Sequence, residues 1–571
     1  MKVAAIVLGI VTLVGCASPP VSETGSATVD LILINGKIET VDPIVGEVEA
    51  LAVTNGRVLA VGSTDKIELL ATGSTQIIDL NGKRAVPGFI EGHGHFTGIG
   101  DALQILNLNN VDNWDEVIEM VKDAVAKTEP GEWILGRGWH QEKWDRVPED
   151  NVRGFPIHTA LSAISVDNPV CLKHASGHAC FFNAKAMELA SITSKTSDPA
   201  GGEILHGEGG SPSGLFNETA MGLVHRVHAK EVAKRTDEQR IEDLRRSIRL
   251  ADRDCLSKGI TSFQDAGSSF ATARVLRSMA EAGELGTRLW VMIRASNEDL
   301  ANNLEEARVI GAGDDHLTVR AVKRSIDGAL GSRGAWLLEP YSDAPESLGL
   351  NTATVASVEE TARLAAEYDY QLCVHAIGDR ANREVLDLYE RTFAKAGARN
   401  YRWRIEHAQH VNVVDIPRFA DLGVIASMQA VHCTSDGTWV PARLGNARSE
   451  EGAYVWKKFM DAGVLVTNGT DAPVEDVDPI ASFHSSVTRL LRDGSVFYGD
   501  QRMTRMEALA SYTINCAKAA FEEDIKGTLV PGKLADIVVL SNDILTVPEN
   551  EIRDAKVLWT IVGGKVLYSN K

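Results

Sequence analysis

The chain has 571 residues, too many for one simple hydrophobic core, so at least two domains are expected. With 44% hydrophobic and 24% charged residues it has the balance of a globular protein, which excludes a fibrous or wholly disordered chain. Its formal net charge of -20 disfavours nucleic acid as a partner, because phosphates would be repelled, and leaves a small-molecule substrate open.

At the N-terminus Met1-Lys2 carries positive charge, residues 4–14 are almost wholly apolar, and Leu13-Val14-Gly15-Cys16 follows. The apolar run is too short to span a bilayer and suits an export signal. The tetrad resembles a bacterial lipobox. That resemblance implies a signal peptide over residues 1–16, lipidation of Cys16, and an exported protein tethered to a membrane at its periplasmic face. Ala17 replaces the aspartate that usually retains such lipoproteins in the inner membrane, so the outer membrane is expected. A plain signal peptide with an incidental cysteine is the alternative. Residues 17–28 are small and polar and read as a flexible tether. The remaining cysteines show no disulfide framework; buried free thiols are expected, with Cys171–Cys180 the one close pair worth testing.

From residue 29 to 86 short apolar runs end in Asn35-Gly36, Asn55-Gly56 and Asn81-Gly82, which predicts hairpins. Residues 522–571 have the same character, so both chain ends are expected to complete one β-sandwich. Between them, residues 87–521 alternate strand and helix patterns. Strands are predicted near 259–264, 288–295, 317–326, 371–376, 403–406, 424–428 and 464–467, with helices between them, the last over 450–462. So many βα units in a row predict an α/β fold with a closed (β/α)8 barrel; an open doubly wound sheet is the alternative. Residues 103–234 interrupt the rhythm and are expected to be an insertion after the first barrel strand that shapes the pocket.

In a parallel barrel every strand delivers its last residues to one rim. The first strand runs from Val86-Pro87-Gly88-Phe89-Ile90 into His93 and His95. Residues two apart in an extended segment face the same way, so both imidazoles can reach one ion. Later strands carry Lys323, His375 and His407, and the last leads to Asp471. Taken singly, each has a structural explanation: a hydrogen-bonded histidine, a lysine that guards a sheet edge, an aspartate in a turn. Together, in barrel order on one rim, they point to a metal-dependent site.

Pro87-Gly88-Phe89-Ile90 leading to His93 and His95, Val322-Lys323 with Asp327-Gly328, His375-Ala376-Ile377-Gly378-Asp379, Arg404-Ile405-Glu406-His407 and Gly469-Thr470-Asp471-Ala472-Pro473 resemble the amidohydrolase superfamily, specifically its family 3 or YtcJ-like branch. The tail from Gly527 to Asp536 matches too, so the resemblance covers nearly the whole mature chain. Members commonly have Asp where Glu91 stands and Gly-Ser-Asp where Gly469-Thr470-Asp471 stands. The resemblance implies two divalent ions, with zinc expected: His93, His95 and Asp471 on one, His375 and His407 on the other, and a carboxylated Lys323 between them. It implies hydrolysis of a non-peptide C–N bond (amide, N-acyl, N-formyl or cyclic amide) by metal-activated hydroxide, with Asp471 as the base. A mononuclear deaminase, an ester or lactone hydrolase, and a non-enzymatic small-molecule-binding lipoprotein are the alternatives. Lys323 argues against the deaminase. Trp139, His178, Asp327, Arg333 and His432 are candidate substrate contacts, and Asp379 and Glu406 are expected to orient ligands. The reading leaves a homodimer open.

Overall fold

The computed structural model describes residues 28–570 except 110, 142, 143, 176–178, 200, 201, 332 and 398. The signal peptide with Cys16, the tether up to residue 27, and His178 lie outside the described residues.

Eight parallel strands form the barrel: β1 (Phe89–Gly94), β2 (Ile260–Ser268), β3 (Arg288–Ile293), β4 (Leu317–Ser325), β5 (Gln371–Ala376), β6 (Arg404–His407), β7 (Ile425–Met428) and β8 (Val466–Asn468). Each pairs with the next in chain order. The ring closes where the Asp471 N–H donates to the His93 carbonyl at 2.8 Å. The two strands approach so closely there that a Cβ on Gly92 would lie 2.4 Å from the Asn468 carbonyl oxygen, which only glycine permits. Ala266, Trp290, Met292, Ala321 and Cys373 fill the barrel interior. Strand alternation then carries Arg294 and Lys323, each two residues beyond an interior side chain, toward the C-terminal mouth.

The helices between strands follow the sequence signals. The helix Asp237–Ser257 begins with a capping box, in which Thr236 and Gln239 satisfy each other's backbone N–H groups, and it buries Ile248, Ala251 and Cys255 on one face. The predicted helix over 450–462 is instead two, Asn446–Gly452 and Trp456–Asp461. Tertiary contacts break it: the Tyr454 N–H donates to the Gln409 carbonyl at 2.7 Å, with a φ of 55° at Tyr454.

Both chain ends build the second unit. One sheet holds Leu31–Ile34, Ala50–Thr54, Arg57–Gly62 and Gln76–Asp79; the other holds Lys37–Glu39, Glu47–Val48, Arg84–Pro87, Ile537–Leu540, Val557–Val562 and Lys565–Ser569. Leu33, Leu51, Val53, Ile537 and Val539 pack together as its core. Of the three Asn-Gly turns only Asn55-Gly56 closes a hairpin; Asn35-Gly36 and Asn81-Gly82 carry the chain from one sheet to the other. The turn chemistry was legible, but which strand pairs with which is decided by packing between sheets.

This unit is pinned to the foot of the barrel by a buried ion pair. Arg288 Nε lies 2.9 Å from Asp536 Oδ2 and Arg288 Nη2 3.2 Å from Oδ1, and the Gly563 N–H donates to the same carboxylate at 2.8 Å. Burial alone would push the Asp536 carboxyl up, but Arg288 outweighs it and holds the group below its ordinary value. Asp536→Asn removes the carboxylate paired with buried Arg288 and is expected to cost about 3–5 kcal/mol in urea unfolding at neutral pH. Because the folded carboxyl is depressed, its contribution is complete above the unfolded value of about 4 and fades as pH falls through the folded value. The gap between wild type and variant should therefore narrow in acid.

The insertion leaves the barrel after the helix Phe96–Ala102 and carries a six-stranded sheet in the order Gly202–His206, Pro212–Glu218, Ala179–Phe182, Val170–His174, Ile134–Trp139, Leu106–Asn107. Each face of the sheet is covered by its own apolar cluster. Trp139 is fully buried in one of them, and its Nε1–H donates to the Leu172 carbonyl at 2.8 Å. It is a core residue here and presents no surface to a substrate. Cys171 and Cys180 are buried free thiols with their sulfurs 2.7 Å apart.

Candidate metal centre

The strand ends bring the six proposed ligands to one place. His93 is fully buried on β1, and its Nδ1 bonds Glu406 on β6. Glu406 is itself gripped by Arg404, Nε to Oε1 at 2.7 Å and Nη2 to Oε2 at 3.0 Å. Burial would raise the Glu406 carboxyl, but Arg404 and His93 hold it well below its usual range, so it stays ionised and keeps the proton on His93 Nδ1. The lone pair of His93 Nε2 then faces inward, 3.2 Å from Lys323 Nζ and 3.5 Å from Asp471 Oδ1. His95 Nε2 lies 3.2 Å from the same Asp471 oxygen. The His407 Nδ1–H donates to Gln429 Oε1 at 2.7 Å, which turns the opposite nitrogen inward. The His407 ring centroid sits 4.8 Å from that of His93 and 4.5 Å from that of His375.

The electrostatics suit cation binding. Burial first, and then the charge of Lys323, push His93 down to about 4 and His375 down to about 3; burial lowers His407 as well. All three imidazoles are neutral at ordinary pH, the form that ligates a metal. His375 Nε2, His432 Nε2 and Asp471 Oδ1 are buried without a hydrogen-bond partner. Each such group costs about 1–3 kcal/mol unless something satisfies it, and a divalent cation among them would do so. At this mouth two three-residue groups have ligand atoms within 4.8 Å of one another: His93, His95 and Asp471, and His407, His432 and Asp471. The first is the expected set. In the second, His432, expected to touch substrate, stands where His375 was expected, while His375 Nε2 lies 3.5 Å from Asp327 Oδ1. His407 and Asp471 both hold left-handed backbone, φ 76° and 57°, strain of the kind that persists at functional sites.

The other candidates fall elsewhere. Asp327 is buried and accepts the backbone N–H groups of Trp336, Ile377 and Gly378 at 2.8–3.0 Å, so it shapes loops beside His375. Arg333 is paired with Asp343, its Nη2 2.9 Å from Oδ2, and is half exposed. Asp379 accepts the Leu338 N–H at 2.9 Å and touches none of the six ligands among its described hydrogen bonds. Gln429, which orients His407, was missed, although it directly follows β7 and the strand-end rule would have found it. The two departures from the family pattern meet each other: Glu91 Oε1 accepts the Thr470 hydroxyl at 3.0 Å as well as its N–H, and burial pushes Glu91 up to about 8. The longer acid on β1 thus reaches the residue before Asp471.

The profile of the amidohydrolase family (Amidohydro_3) matches residues 76–568, and the chain belongs to that family. It is a metal-dependent hydrolase acting on carbon–nitrogen bonds, built on a TIM barrel. The chain is 33% identical over 552 residues to the protein LONG AFTER FAR-RED 3 of Arabidopsis thaliana, covering 94% of this chain and 91% of that one. It is 28% identical to the N-substituted formamide deformylase of Arthrobacter pascens, covering 94% and 98%. An uncharacterized metal-dependent hydrolase from Pyrococcus horikoshii superposes with a TM-score of 0.72 at 27% identity, covering 91% of this chain and 99% of that one.

Proposed function

We propose that the protein hydrolyses a small non-peptide amide, of the N-formyl, N-acyl or cyclic class, with two zinc ions that His93, His95, His375, His407, Asp471 and a carboxylated Lys323 would hold. The observation that carries this reading is the Asp471 carboxylate, which has one buried oxygen without a hydrogen-bond donor and lies 3.5 Å from His93 Nε2 and 3.2 Å from His95 Nε2. When bound, the metal makes a water acidic and draws electron density from the scissile carbonyl. Asp471 accepts the proton of the attacking water and delivers it to the departing nitrogen. Glu406 keeps His93, and Gln429 keeps His407, in the tautomer and orientation that ligation needs. Likeness to a formamide deformylase supports the N-formyl class. The lipobox-like Leu13-Val14-Gly15-Cys16 supports an exported enzyme anchored through lipidated Cys16.

Metal analysis of the purified protein, with a screen of N-formyl, N-acyl and cyclic amides, tests the reading. A chelator should abolish turnover and lower the melting temperature, since a ligand that binds only the native state stabilises it. Zinc should restore both. Full activity in protein shown to be metal-free would overturn the proposal.

A further inference from the structure

The insertion carries another cluster of metal-ligating side chains, which shares no residue with the site at the barrel mouth. Cys171 Sγ, Cys180 Sγ and a ring nitrogen of His225 all lie within 4.8 Å of one another. Three elements supply them: Cys171 is on the strand Val170–His174, Cys180 on the strand Ala179–Phe182, and His225 on the helix Gly222–Val232. The two strands are antiparallel, with Cys171 paired to Phe182 and Lys173 to Cys180. Both cysteines therefore stand on the same face of the sheet, on a diagonal of the ladder. The helix packs on that face, where its Val224 joins Phe182, Phe216 and Met187 in one apolar cluster. The His225 ring meets Phe182 edge-on with centroids 5.5 Å apart, which holds it against the sheet beside the thiols.

A buried cysteine alone is a small apolar residue and points to no ligand. Here two sulfurs 2.7 Å apart meet an imidazole, and sulfur with imidazole nitrogen is the donor set of structural zinc sites. A disulfide would use the sulfurs and leave the imidazole idle, so the three converging donors favour a metal. Charge agrees, because two thiolates cancel one divalent ion and leave a neutral centre, which an apolar pocket can hold. Burial, then Lys173 and His228, lower the His225 imidazole, so it is neutral, the form that ligates. We propose that Cys171, Cys180 and His225 form a zinc site that clasps the helix Gly222–Val232 to the insertion sheet. Each thiol gives its proton to solvent, and zinc accepts a lone pair from both sulfurs and from the imidazole nitrogen. Water, entering from the half-buried His225, takes the fourth position. Two Zn–S bonds of about 2.3 Å at a tetrahedral angle part the sulfurs by about 1 Å more than in the metal-free arrangement. The ion ties the middle of the insertion to the helix that leads the chain back to the barrel.

Cobalt(II) tests the site, because a thiolate bound to it gives a charge-transfer band in the near ultraviolet that nitrogen and oxygen ligands at the barrel mouth do not. The measurement needs no turnover and is independent of the hydrolase reading. Reduced, metal-free protein titrated with cobalt should develop this band, and excess zinc should bleach it. Cys171→Ser and Cys180→Ser should each remove most of the band and lower the zinc content by one equivalent. His225→Gln, the mildest change because it lies half-buried on a helix, should weaken cobalt binding by about tenfold or more. Zinc should also slow amide hydrogen exchange along Gly222–Val232 in wild type and leave it unchanged in Cys180→Ser. Circular dichroism establishes that each variant folds. Absence of the sulfur band in reduced wild type, or a band that survives both cysteine substitutions, would overturn the site. A Cys171–Cys180 disulfide that persists in native protein under reductant would overturn it too, since no thiolate would remain to bind.

Discussion

Asp471→Asn is expected to keep the fold and lose about 10²–10⁴-fold in kcat, the range that a positioned acid–base group supplies. The substitution is chosen for the backbone. Position 471 has a φ of 57°, and asparagine is among the few residues besides glycine that tolerate that region. Asparagine also keeps an oxygen near His95, so the pocket need not rearrange, but it cannot take up a proton. Burial would raise the native carboxyl, yet His95, whose Nε2 lies 3.2 Å away, and the nearby His93 and His407 hold it well below the usual carboxylate range, so it is ionised and can accept one. Steady-state rates on the best amide, with zinc content measured in parallel, check the result. Turnover near the wild-type rate at equal metal content would remove Asp471 from its assigned role.

Lys323→Ala is expected to lose about 10²–10³-fold, in line with the several kcal/mol that metal organisation contributes to such reactions. Lys323 is buried on β4, its described hydrogen-bond partner is His93 Nε2 at 3.2 Å, and no carboxylate lies within ion-pair distance among the described residues. A plain ammonium there would repel any cation that the neighbouring histidines held. Burial favours the neutral amine, the form that reacts with carbon dioxide. Acetate or propionate added to Lys323→Ala should enter the vacated space as an oxygen donor and restore part of the rate. A variant as active as wild type would refute the bridging role. A loss that no short carboxylic acid relieves would separate a merely structural lysine from a modified one.

The barrel and the meeting of its strand-end residues were legible because two simple rules act together. Parallel strands announce themselves as apolar runs between helices, and their C-terminal ends share one rim, so His93, Lys323, His375, His407 and Asp471 could be assembled from chain order alone. The same rule, applied only to residues that ligate metals, passed over Gln429. What stayed hidden depends on contacts between distant segments. Trp139 sits in a glycine-rich stretch that reads as a loop, yet the insertion sheet buries it. His432 and His375 could not be ranked as ligands, because their reach depends on loops whose course no periodicity reveals. Tyr454 interrupts a well-patterned helix because Gln409, on another loop, claims its backbone.

The seam between β1 and β8 also bears on when the enzyme becomes active. Asp471 bonds to His93 across that seam; His93 lies on the earliest strand of the ring and Asp471 just beyond the latest. A growing polypeptide therefore carries an incomplete and silent centre until nearly the whole of it has been synthesised and the circle has shut. Reactivity arrives late, as a property of the finished molecule, and catalysis itself reports that assembly has been completed.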